Sequence, residues 1–193
     1  MRTETSPDQT GPVRLSDYTP PAWLVDAVRL EFDLDPGATQ VRAIIDFRRN
    51  PEAGITGRPD LRLDGRGLAF VGAEVNGTRL PHDAITTDGE GLTVRGDALP
   101  GDTFTWTCLT ETDPSANTAL EGLYVSRAMF CTQCEAEGFR KITYYPDRPD
   151  VMAPFSVRIE ADRQTCPVLL SNGNPGQTGE LPGGRHFAEW EDP

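Results

Sequence analysis

The strongest constraint in this chain is a two-residue hydrophobic period near its beginning. Val28, Leu30, Phe32 and Leu34 alternate with Arg29, Glu31 and Asp33. Successive side chains of an extended chain point to opposite faces, so this pattern predicts a half-buried strand over residues 24–34. Asp35-Pro36-Gly37-Ala38 has turn chemistry, and Val41–Arg48 returns with a similar alternation, which predicts an antiparallel hairpin. Further short strands are expected at 61–65, 67–75, 78–80, 85–87, 91–94, 103–109, 155–161, 168–173 and 184–190. Asn76-Gly77 is the sharpest hairpin signal, because both residues tolerate positive φ. Nineteen glycines and seventeen prolines suit this turn-rich pattern. One short helix is expected around Asp147–Ala153, with an Asp to cap it and Pro154 to end it.

The fold class predicted from these segments is all-β: curved antiparallel sheets or a sandwich with at most one short helix. Residues 1–16 form a polar leader expected to be flexible, and residues 17–193 a single β domain. No apolar run approaches the roughly 20 residues that cross a bilayer. The leader also lacks the apolar core of a signal peptide, so a cytoplasmic protein without membrane contact is expected. A formal net charge of −12 has the wrong sign for a phosphate backbone and argues against nucleic-acid binding.

Four cysteines are too few for a disulfide scaffold of this size. Cys131-Thr132-Gln133-Cys134 has the C-x-x-C spacing of redox and metal sites, but no second pair accompanies it. Cys108 and Cys166 stand apart, as do His82 and His186. Reduced, partly buried thiols and no metal site are the expectation. Residues 117–155 differ from the rest. They mix Glu121, Gln133, Glu135, Glu137, Arg140, Asp147, Arg148 and Asp150 with Tyr124, Phe130, Phe139, Tyr144 and Tyr145. Such a mixture builds either a ligand cleft or a set of mutually paired surface charges.

Three segments of this stretch carry a family resemblance: Asn117–Tyr124, Cys131–Arg140 and Ile142–Val151. They resemble the bacterial aminopeptidase N branch of the zinc aminopeptidases. Leu170–Asn174 and Arg185–Pro193 extend the similarity, and Asp17-Tyr18 and Leu30–Leu34 begin it more weakly. The resemblance implies a saddle-like all-β domain that precedes a thermolysin-like catalytic domain. It also implies that Gln133 and Glu135 line the substrate cleft, Glu135 binding the peptide α-amine and Gln133 the same end of the pocket. If the segment is extended, their two-residue spacing puts both on one side. Glu137 shares that side but has no role in the resemblance and is read as structural.

The sequence lacks H-E-x-x-H and G-A-M-E-N, so zinc and the general base are expected from a catalytic domain that these residues do not contain. The resemblance also places a further strand and that catalytic domain after Pro193. Two readings follow, a substrate-anchoring domain of a larger enzyme or a stand-alone peptide- or protein-binding module. A third reading is a small metal- or thiol-dependent protein built on the four cysteines. An isolated domain of the first kind is expected to expose a partner surface and a sheet edge, and to self-associate.

Overall fold

The computed structural model describes residues 14–193. The leader expected over residues 1–16 therefore lies outside the described residues as far as position 13. Arg14 precedes an exposed 3-10 turn at Leu15–Asp17, which takes in the last two residues of that expected leader. The elements that follow are β1 (Trp23–Asp33), β2 (Thr39–Arg49), β3 (Leu61–Asp64), β4 (Ala69–Val75), β5 (Thr78–Arg79), β6 (Ile85–Asp88) and β7 (Gly91–Val94). The second half adds β8 (Thr103–Thr112), β9 (Gly122–Ser126), β10 (Met129–Gln133), β11 (Phe155–Asp162), β12 (Asn174–Leu181) and β13 (Arg185–Asp192). The fold is all-β, and among the described residues its helical segments are single 3-10 turns.

Eight strands form the main sheet in the order β12-β13-β11-β1-β2-β8-β4-β5. Its pairings are antiparallel except β1 with β11, which run parallel from Val28↔Phe155 to Asp33↔Glu160. β3, β7 and β6 form a second sheet, and β9 with β10 a separate hairpin. Leu61 and Leu63 of β3 and Leu92 and Val94 of β7 share one buried cluster with Val41, Ile45 and Trp106 of the main sheet. Burying this contiguous apolar face drives the packing of the two sheets.

The β1 alternation has a phase change that its sequence does not advertise. Trp23 and Val25 are buried, then Val28, Leu30 and Phe32. The register with β2 shifts between Val25 and Ala27, so a bulge at Asp26 keeps both sets on the core face.

Two expectations fail. Residues 147–153 contain no helix; they hold only a tight turn in which the Val151 N–H donates to the Arg148 carbonyl. Pro149 disfavours helical geometry at Arg148, and Asp147 bonds to Arg140 instead of capping. Residues 168–173 form no strand either; Leu169 is buried while Val168 and Leu170 are 69% and 70% exposed. The partner of β11 on that side is β13.

Candidate functional site

The segment singled out in sequence is built around the β9–β10 hairpin. Its strands pair from Ser126↔Met129 to Gly122↔Gln133 and are joined by the two residues Arg127 and Ala128. Both have positive φ, 49° and 66°, as a type I′ connection requires. Beyond Gln133 the strand ends, and Cys134 leads into a turn that carries Glu135, Ala136 and Glu137. The Gly138 N–H closes this turn on the Cys134 carbonyl at 2.8 Å. A 3-10 turn, Phe139–Lys141, follows directly.

Two glycines let these pieces approach. Gly122 has φ +69°, and a Cβ there would sit 2.6 Å from Lys141 Cβ. A Cβ on Gly138 would land on the Gln133 carbonyl oxygen and 2.9 Å from Cys134 Cα. Both contacts are closer than non-bonded carbon packing permits. Asn117 braces the approach to β9, its amide donating to the carbonyls of Glu121 at 2.8 Å and Leu123 at 2.9 Å.

Aromatic packing supports the turn. Phe139 meets Tyr145 edge-on at 4.8 Å between ring centroids and Phe155 at 5.8 Å. Burial, reinforced by the Asp147 charge, pushes the Tyr145 phenol up to about 12. Tyr145 also bridges to Asp64 at the end of β3, its N–H donating at 3.1 Å and its carbonyl accepting at 2.8 Å.

The charges of this stretch are almost fully paired. Glu121 pairs with Lys141, whose hydrogen bond holds the Glu121 carboxyl below its usual range. Glu137 pairs with Arg140 at 3.3 Å, Asp147 with Arg140 at 2.9 Å, and Asp150 with Arg148 at 2.7 Å. Among its carboxylates Glu135 is the exception: among the described residues its side chain has no ion pair and no hydrogen bond, and it is exposed. Gln133 is likewise exposed, at the last position of β10. Strand alternation stops at Gln133, so the direction of Glu135 is set by the turn and the spacing argument does not reach it.

Two grooves flank the segment. One of about 390 Å3 lies between Phe32, Val157 and Ile159 on the main sheet, Leu34 just past β1, Met129–Thr132 on β10, and Val168–Asn172. Another of about 410 Å3 is lined by Trp23, Asp64, Glu137, Arg140 and Asp147 among others. Neither is lined by Gln133 or Glu135.

Cys131 and Cys134 belong to this segment, but the cysteines and histidines build no ligating cluster among the described residues. All four thiols are free, and among the described residues no three metal-ligating side chains converge. His82 is exposed, while His186 is buried with Nε2 2.7 Å from the Cys166 carbonyl. Among the described residues no helix is long and apolar enough to cross a membrane.

Residues 103–193 match the family model of the peptidase M1 N-terminal domain. The whole chain is 49% identical to aminopeptidase N of Caulobacter vibrioides, of which it covers 21%. Aminopeptidase N of Haemophilus influenzae is 46% identical over 92% of the chain, which covers 20% of that protein. The chain thus spans about a fifth of the length of the curated relatives it matches. Among solved structures, Legionella pneumophila aminopeptidase A in complex with aspartic acid superimposes with a TM-score of 0.85. It is 31% identical over 93% of this chain and 21% of that one. An M1 zinc metallopeptidase from Deinococcus radiodurans shares the fold, with a TM-score of 0.72 at 15% identity over 91% of this chain and 40% of its own.

Proposed function

Because the chain belongs to the peptidase M1 N-terminal domain family, we propose that it supplies the substrate-amine anchor of a cytoplasmic zinc-dependent aminopeptidase. Glu135 is the group that receives the peptide's leading ammonium, and Gln133 lines the same end of the cleft. The observation that carries this reading is the unpaired, exposed Glu135 carboxylate on a tightly closed turn whose other carboxylate is already paired. An exopeptidase must fix the distance from a charged amine to the first peptide carbonyl. A carboxylate held by its backbone does this through charge-assisted hydrogen bonds. Glu135 is open to solvent here, so the second wall of the cleft comes from the catalytic region of the enzyme.

The residues present do not make a zinc site. The sequence has no H-E-x-x-H, and among the described residues no cluster of ligating side chains forms. The metal and the hydrolytic step therefore belong to that other region. The contribution of this domain is to bind and orient.

The test is Glu135→Gln in a complete enzyme carrying this domain, for example a chimera in which residues 1–193 replace the matching fifth of the Caulobacter enzyme. Losing one charge-assisted bond costs roughly 1.5–3 kcal/mol, so KM for a dipeptide with a free amine should rise about tenfold or more. Unchanged kinetics would refute the anchor role.

The same reading makes the apolar rim of the β10 groove a surface that the catalytic region covers. Met129, Val168 and Leu170 are 62%, 69% and 70% exposed, and among the described residues β12 ends the main sheet with an open edge. Without that cover the 193-residue chain should self-associate as concentration rises, visible in sedimentation velocity. A single monomeric species across the whole concentration range would contradict it.

A further inference from the structure

We propose that Arg140 is the positioning residue for Glu135: it clamps the turn that carries this carboxylate and neutralises the neighbouring Glu137, leaving one carboxylate for the substrate amine. The proposal rests on the amine-anchor reading and adds to it a residue that does not itself touch substrate.

The clamp reaches in two directions from one guanidinium. Toward the turn, Nη1 lies 3.3 Å from a Glu137 oxygen. Toward the second sheet, Nε donates to Asp147 Oδ2 at 2.9 Å and Nη2 to the Asp147 carbonyl at 3.1 Å. The Arg140 backbone N–H also donates to Asp147 Oδ2, at 3.2 Å. Asp147 is fixed in turn, its N–H donating to Asp64 Oδ2 at 3.0 Å at the end of β3. The Arg140 carbonyl accepts from the Arg66 N–H at 2.9 Å, beyond the same strand. A chain of polar contacts thus runs from the Glu135 turn to the three-stranded sheet.

Burial makes this pair different from its neighbours. The Arg140 and Asp147 side chains are each 13% exposed, whereas most of the other ion pairs expose about a third or more of at least one partner. Shielded charge-assisted bonds are screened less than surface pairs and hold geometry better. Lysine cannot reproduce the arrangement, because its ammonium is a single point on a flexible stem and cannot fork to Asp147 and Glu137 together.

The experiment is a double-mutant cycle in the complete enzyme, with KM and kcat measured on a free-amine dipeptide. R140K should raise KM about fivefold while kcat changes less than about twofold, a loss of positioning and not of chemistry. On the E135Q background the same change should raise KM by less than about twofold, since residues acting through one group are not additive. Glu137→Gln leaves the Arg140–Asp147 pair in place and serves as the second variant, with a rise of about twofold that also vanishes on E135Q. If R140K has no effect, or acts undiminished on E135Q, the positioning role is wrong and the anchor reading stands. If E135Q itself leaves KM unchanged, both are wrong.

Discussion

Trp106→Ala should lower the unfolding free energy of this domain by about 3–5 kcal/mol, the range for deleting a buried aromatic side chain. Trp106 has no solvent exposure and lies on β8, opposite Ile45 of β2 and Val75 of β4. Phe104, Cys108 and Thr110 point the same way from β8 and are also buried. Burial in this dry environment pushes the Cys108 thiol up to about 12. The indole N–H has no hydrogen-bond partner among the described residues. The loss is therefore one of packing and not of a polar contact, and Trp106→Phe should cost less than Trp106→Ala. Removing an unsatisfied N–H offsets part of the lost volume. Urea unfolding followed by circular dichroism measures both variants; a shifted midpoint with an unchanged slope is expected. A loss below about 1 kcal/mol for Trp106→Ala would mean the two-sheet core is not organised around this strand.

The segments that sequence made legible are those whose fate is decided by burying one face. β1, β2 and β8 alternate, and the structure buries the residues the alternation selects, except Leu34, which lies just past β1 and is half-buried. Asn76-Gly77 sits at the β4–β5 turn with φ of 50° and 74°. The β9–β10 hairpin is invisible by the same logic, since its two-residue turn is Arg127-Ala128, neither residue a signal for positive φ. β12 is equally hidden: Asn174–Leu181 contains Pro175, Gly176 and Gly179 and is mostly exposed. An edge strand of this kind is held by backbone pairing, which leaves no hydrophobic pattern to read. The run Val168-Leu169-Leu170 errs in the opposite direction, looking like a strand while burying only its middle residue. The candidate site was legible only through resemblance, because no periodicity separates Glu135 from Glu137. What separates them is Arg140, which pairs with the second and not with the first.

Gly138→Ala should damage both stability and substrate recognition, because position 138 is where fold and candidate site share an atom-scale constraint. The added Cβ would meet the Gln133 carbonyl oxygen and, at 2.9 Å, Cys134 Cα. These are backbone atoms, and no rotamer change relieves the clash. The turn must widen and lose the 2.8 Å bond from the Gly138 N–H to the Cys134 carbonyl. Overpacking of this kind costs about 1–3 kcal/mol. Gln133 and Glu135 stand at the two residues flanking Cys134, so widening moves both proposed substrate contacts together. A displacement of about 1 Å in a positioning group can cost about a hundredfold in rate. The complete enzyme carrying Gly138→Ala should therefore lose about a hundredfold in kcat/KM on free-amine dipeptides, more than Glu135→Gln alone. Gly101→Ala is the matched control, since a Cβ added there would meet nothing within 4 Å; its stability should stay within about 0.5 kcal/mol of the parent. A Gly138→Ala enzyme with parental kinetics would show that substrate recognition does not depend on the geometry of this turn, and the amine would have to be held by residues elsewhere.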